Sequence, residues 1–105
     1  MIDVLNLFPR ELDEAEVDEL LTQRLIPQLS KSGGLQSLRL SQGPAMSRGG
    51  PSPYSRVLEA TFETLADWMA AVDGLNAMSG SPSQLEKFRR LAPLVIFYEV
   101  TDLRK

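Results

Sequence analysis

Two polar side chains, Asn6 and Tyr98, stand among apolar residues of the first and last strands predicted for this chain. If these strands pair, the two residues would be near neighbours. A polar pair in an apolar layer would orient a small ligand in a pocket. In the alternative interpretation, Asn6 bonds to backbone at the strand end and the Tyr98 hydroxyl reaches solvent. Trp68, on the apolar stripe of a predicted helix, is either a wall of this pocket or ordinary core packing.

A second group of reactive side chains is predicted on the opposite face of the strands. Asp3, Arg39, Glu59 and Glu99 would serve as catalytic acids and a cation, because neighbouring carboxylates shift one another's pKa. We favour another interpretation, in which they form ion pairs across a dimer interface to which Phe97 also belongs.

A Gly/Pro-rich segment, residues 42–53, leads into Tyr54. Loops of this length in a small domain are usually either functional or mobile. As a lid it would bring Tyr54 to the pocket; the alternative is a disordered loop.

The chain contains neither His nor Cys, which limits its chemistry. A Ser-His-Asp triad, a thiolate nucleophile, a proximal His on haem and most zinc sites are therefore excluded. Carboxylate, Tyr, Lys, Arg, Asn and Ser/Thr chemistry remains. We predict no metal site and no cofactor.

The charge pattern argues against nucleic acid as a partner. The net charge is −3, and the basic pairs Arg89-Arg90 and Arg104-Lys105 read as solvated ends of elements. No apolar run approaches the roughly 20 residues that span a bilayer, and no signal peptide precedes the first strand. We therefore expect a cytoplasmic protein without membrane contact.

The order of elements is strand, helix, strand, then strand, helix, strand. Asp13 and Glu16 predict a capped start for the first helix, and Pro27 predicts a kink or a break near residues 23–26. Thr64 and Asp67 predict the start of the second long helix, and a short helix is expected from Ser81. The predicted strands cover residues 1–8, 35–41, 54–63 and 93–101.

The last strand is apolar at odd and even positions alike, so both of its faces must be covered. We place Leu94, Ile96 and Tyr98 on the helix side of the sheet, and Val95, Phe97 and Glu99 on the other. With helices on one side only, the sheet would complete its burial against a second copy of the chain. Right-handed crossovers then predict a single α+β domain over residues 1–105, a ferredoxin-like βαββαβ sandwich with a four-stranded antiparallel sheet.

At this point the chain resembles the dimeric α+β barrel superfamily, in its EthD-like branch. The resemblance rests on Pro27 late in the first helix, the run from Pro53 to Phe62, the capped helix from Thr64, and the apolar final strand. It implies two sheets packed face to face in a homodimer, with a pocket between sheet and helices in each subunit. Related EthD-like sequences often carry His where this chain has Leu25, so chemistry that depends on that His is not expected.

Two functions follow from this resemblance. In the first, the protein is a homodimer of uncharacterised activity that binds a small apolar or aromatic ligand in the helix–sheet pocket. In the alternative, it is a small cofactor-independent monooxygenase that uses Asn6, Trp68 and Tyr98, the substrate itself supplying electrons to oxygen. The sequence leaves open whether the protein is an enzyme.

Overall fold

A computed structural model describes residues 1–77, 86–87 and 89–104. Its elements, in chain order, are β1 (Ile2–Pro9), α1 (Glu14–Leu20), a π-helical turn (Leu21–Leu25), α2 (Ile26–Ser30), β2 (Leu35–Leu40), β3 (Met46–Ser47), β4 (Gly50–Pro51), β5 (Tyr54–Phe62), α3 (Leu65–Ala77) and β6 (Leu94–Glu99).

Four of the strands form one antiparallel sheet in the order β2-β5-β1-β6. The first and third long strands are therefore central, as the ferredoxin-like prediction requires, and the predicted strand limits are confirmed within two residues. The remaining two strands, β3 and β4, form a small hairpin inside the Gly/Pro-rich segment.

The start of the first helix confirms the cap predicted from the sequence. The Asp13 carboxylate accepts a hydrogen bond of 3.0 Å from the backbone N–H of Glu16, which satisfies one of the free amides of the first turn. Val17, one turn further on, is fully buried in the core.

Pro27 distorts the first helical segment without ending it. Because Pro27 has no amide hydrogen and its ring crowds the preceding turn, regular helical bonding fails just before it. The chain adopts a π-helical turn there, and the N–H of Ile26 donates to the carbonyl of Leu21, five residues earlier. The helix then continues to Ser30, so the predicted kink is found as a widened turn.

The described helices pack on one face of the sheet. Even-numbered residues of β1 and β5 point to them, since alternate residues of a strand face opposite sides. The buried core comprises Ile2, Val4, Phe8, Val17, Leu20, Leu21, Leu29, Leu58, Ala60, Phe62, Ala71 and Leu91.

The predicted faces of the last strand were wrong. Val4 is paired with Phe97 and Asn6 with Val95, whereas Asp3 is paired with Tyr98. Directly opposed residues share a face, so Val95, Phe97 and Glu99 lie on the helix side and Leu94, Ile96 and Tyr98 on the other. Because this strand is apolar on both faces, its alternation carried no information about phase, and only the register with β1 fixes it.

An ion pair joins the first helix to the sheet at one end of the core. Arg56 on β5 donates through Nε to Asp18 at 3.1 Å, and its Nη2 lies 3.6 Å from a Glu14 oxygen. The hydrogen bond to Asp18 raises the pKa of Arg56, and it outweighs the opposing effect of burial.

The short helix predicted from Ser81 begins outside the described residues. Residues 86–87 and 89–90 are helical, and Leu91, which follows them, is buried.

In the described parts of the chain, no helix has the length and apolar character needed to cross a membrane.

Gly34, between α2 and β2, provides a sharp test of this packing. Its φ is +77°, and an added Cβ would overlap the carboxylate of Asp67, which also accepts a 2.9 Å hydrogen bond from Thr64 at the start of α3. We expect Gly34→Ala to lower the free energy of unfolding by about 1–3 kcal/mol, measured by urea denaturation.

Gly33→Ala is the matched control for this substitution. No atom lies within 4 Å of a Cβ added at Gly33, and its φ is outside the left-handed region. Its effect should stay within about 0.5 kcal/mol. Equal effects of the two substitutions would contradict the assigned contact with Asp67.

Candidate functional site

A cavity of about 180 Å³ lies between the sheet, the π-helical turn, α2 and α3. The described residues that line it come from every layer of the fold: Val4, Asn6, Leu25, Leu29, Leu58, Ala60, Phe62, Trp68, Val72, Leu75, Asn76, Pro93 and Val95. Its wall is mostly aliphatic and aromatic, with two carboxamides, which is the usual composition of a small-molecule site.

Asn6 reaches the cavity from β1, where the strand alternation directs it to the helix side. Its Nδ2 donates to the backbone carbonyl of Leu58 on the neighbouring strand at 3.2 Å. This bond agrees with the backbone-bonding interpretation and also fixes the orientation of the carboxamide. The second N–H and Oδ1 have no such bond among the described residues, so the side chain can still bind a ligand.

Trp68 forms the opposite wall, since α3 turns this side chain towards the sheet. Its ring stacks on Phe97 of β6, with 4.3 Å between ring centroids and a tilt of 37°. The two interpretations made from the sequence therefore both apply: Trp68 packs against the core and also lines the cavity.

The other two residues proposed for the pocket lie elsewhere. Tyr98 is opposite Asp3 on the helix-free face, so its expected closeness to Asn6 was wrong; Asn6 faces Val95 instead. Tyr54 pairs with Pro9 at the far end of β5, beyond a register shift, and is not among the residues that line the cavity.

The other described lining residues were not selected as pocket residues from the sequence, and two of them are informative. Leu25 ends the π-helical turn and Asn76 lies near the end of α3, where its side chain is exposed. The Pro27 signal could have pointed to Leu25, because widened turns are frequent at functional sites. Asn76 offered no comparable signal, since a single polar residue near a helix end is common.

None of the described lining side chains is ionisable between pH 2 and 12. The cavity can therefore surround an apolar molecule and hydrogen-bond one or two of its polar atoms. These residues provide no general base and no counter-charge for an ion.

The helix-free face of the sheet has one polar row, an ion pair of Arg39 with Glu59 towards the β2 edge, and apolar residues towards the β6 edge. The polar row runs across the strands as Ser37, Thr61, Asp3 and Tyr98. Beside it, Leu5 is opposite Ile96, and Leu7 is opposite both Val57 and Leu94. No described helix covers this face, and Leu94, Ile96 and Tyr98 are each more than 40% exposed.

The charged residues predicted for an interface are divided by the register of β6. Arg39 and Glu59 lie on the helix-free face and form an ion pair of 2.6 Å within the chain. Asp3, on the same face, accepts a 2.8 Å hydrogen bond from the Thr61 hydroxyl. Phe97 and Glu99 instead point to the helix side. A role of any of these five residues at a dimer interface stays a prediction.

The fold is similar to that of solved EthD-family proteins and of other ferredoxin-like proteins. An EthD family protein of Bacillus halodurans superposes with a TM-score of 0.69 at 17% identity, over 96% of this chain and 99% of that chain. SnoaB, a cofactor-independent oxygenase from Streptomyces nogalater, has a TM-score of 0.62 at 13% identity, over 96% of this chain and 93% of that one.

A third similar structure is described as dimeric. It is a dimeric ferredoxin-like protein of unknown function from Thermobifida fusca, with a TM-score of 0.64 at 13% identity, over 94% of this chain and 90% of that chain. No protein-family model matches the chain, and no curated protein matches its sequence. At these identities the likeness shows the fold alone. It confirms the fold predicted from the sequence, which is the fold of EthD-like proteins.

Proposed function

We propose that the protein is a homodimer that binds a small, largely apolar molecule in the cavity between its sheet and its helices. The observation that carries this proposal is the cavity itself, which lies between the sheet and the helices and is partly open to solvent beside Val95 and Asn76. A concave, mostly apolar pocket with a few polar groups is the usual form of a small-molecule site. A space of about 180 Å³ with an oriented carboxamide on its wall is better explained as a binding site.

The proposal of a homodimer rests on β6. This strand is at the edge of the sheet and exposes five consecutive large apolar side chains, Leu94, Val95, Ile96, Phe97 and Tyr98, each by 41–48%. An apolar edge strand left open to water favours aggregation. A second copy packed on the helix-free face would cover Leu94 and Ile96 together with Leu5 and Leu7. The dimeric description of the protein from Thermobifida fusca supports a homodimer.

A second candidate function is oxidation of the bound molecule without metal or cofactor. It is favoured by the presence of Asn6 and Trp68 in one cavity and by the likeness to a cofactor-independent oxygenase. With hydroquinone as a single-ring probe, the balanced reaction is hydroquinone plus O₂ giving 2-hydroxy-1,4-benzoquinone plus water. The probe supplies all four electrons, one oxygen atom enters the ring, and the other leaves as water.

The cytoplasmic location stays a prediction.

The homodimer is tested by native mass spectrometry of the purified protein. We expect a mass of twice the chain for the unmodified protein and of a single chain for Ile96→Asp. The reason is that an unpaired carboxylate on the covered face would cost several kcal/mol on association. A ligand that co-purifies would add its own mass.

Met69→Asp is the matched control, because Met69 is an exposed apolar residue on α3, away from the helix-free face. It should leave the doubled mass unchanged. Circular dichroism of Ile96→Asp separates dissociation from unfolding. A single-chain mass for the unmodified protein would overturn the proposed dimer.

Oxidation is tested by oxygen uptake with hydroquinone under ¹⁸O₂. If the second candidate function holds, Asn6→Ala should reduce uptake and label incorporation to the rate without protein, while the mass stays doubled. The loss follows because a near-attack position inside the cavity depends on the oriented carboxamide.

Gln23→Ala, at an exposed polar residue of the π-helical turn, is the control and should retain the full rate. An Asn6→Ala rate equal to that of the unmodified protein would remove Asn6 from the mechanism. An unmodified protein with no uptake above background would leave ligand binding as the function.

A further inference from the structure

We infer that the cavity selects an uncharged molecule about the size of a single six-membered ring, held by one hydrogen bond to Asn6. This inference rests on the proposed binding function and narrows its ligand by size, charge and polarity.

The size limit follows from the volume. An engineered protein cavity of about 150 Å³ lined by Leu, Ile and Phe holds one benzene molecule. The present cavity, of about 180 Å³, accommodates one ring with a small substituent. Its floor is formed by β1 and β5 at the centre of the sheet, where Val4, Leu58, Ala60 and Phe62 are each 1% exposed or less. Neither central strand can move apart without breaking the sheet, so the cavity does not widen on that side to take three fused rings.

The charge limit follows from the composition of the wall. Every described lining side chain is aliphatic, aromatic or a carboxamide. A carboxylate or ammonium group transferred from water into this space would lose its hydration without gaining a counter-charge. The charged groups at one end of the core, Arg56 with Asp18 and Glu14, form ion pairs with each other and do not line the cavity. The ligand therefore enters uncharged.

The polar requirement follows from Asn6. One N–H of its carboxamide is committed to the carbonyl of Leu58, which holds the group in place. The remaining N–H can donate a hydrogen bond to a hydroxyl or carbonyl of the ligand, and Oδ1 can accept one from a ligand hydroxyl. A ring that carries a hydroxyl group is thus bound more tightly than the same ring without one. The plain ring would leave the polar atoms of the Asn6 carboxamide buried without a partner, which is unfavourable.

A matched set of ligands tests these limits by isothermal titration calorimetry on the full chain: toluene, benzyl alcohol, benzoate and 9-fluorenol. We expect benzyl alcohol to bind more tightly than toluene by about threefold or more, and benzoate and 9-fluorenol to bind at least tenfold more weakly than benzyl alcohol. The affinity for benzyl alcohol should stay constant from pH 5 to 9, since neither the ligand nor the described wall titrates there.

Two controls fix the place of binding. Trp68 is the single tryptophan of the chain, so a change in its fluorescence on adding toluene reports entry into the cavity. Asn6→Leu, similar in volume and apolar, should abolish the preference for benzyl alcohol over toluene. A preference that persists in this variant would overturn the role given to Asn6.

The outcomes separate the inference from the function on which it rests. Binding of benzoate or 9-fluorenol as tight as that of benzyl alcohol, with toluene also bound, would overturn the size and charge limits and leave the binding function standing. Failure of both toluene and benzyl alcohol to bind or to change the Trp68 fluorescence would overturn the binding function itself. Tight binding of benzyl alcohol alone among the four would support the inference most strongly.

Discussion

The antiparallel register between β1 and β6 is the constraint on which the rest of the structure depends. It places Val95 and Phe97 beneath α3 and leaves Leu94, Ile96 and Tyr98 on the helix-free face. A shift by one residue would exchange these two sets, because the side chains of a strand alternate strictly. The cavity would then lose the aromatic contact between Phe97 and Trp68, and the helix-free face would change its composition.

The same register separates two environments that the chain must keep apart. On the helix side, an apolar cavity contains a carboxamide held in place by backbone. On the other side, Arg39 pairs with Glu59 and Asp3 with Thr61, so these four side chains already have partners within the subunit. These internal partners lower the free-energy cost of burying the helix-free face against another molecule, because fewer polar groups are then left without a hydrogen bond.

The fold could be predicted from sequence because its local signals agree with one another. The cap at Asp13, the proline at 27 and the alternation in β1 and β5 each fix an element or a face. The candidate site could be predicted only in part. Trp68 was identified because its helix has one apolar stripe, and Asn6 because it shares a strand face with Ile2, Val4 and Phe8. Tyr98 was misplaced because β6 is apolar on both faces. Asn76 has no local signal, since it reaches the cavity only through the packing of α3.

The π-helical turn gives this fold a simple route to diversification. Such a turn holds one residue more than the regular helix it interrupts, and each residue rotates a helix by about 100°. Loss of a single residue from Leu21–Leu25 would therefore return the turn to regular helical width, while α1 and α2 kept the faces that they present to the sheet. The cavity wall would change at the turn itself, where Leu25 lies, and Leu29 on α2 would keep its place. Descendants of this chain could thus acquire a differently shaped cavity through one deletion, with the sheet unchanged.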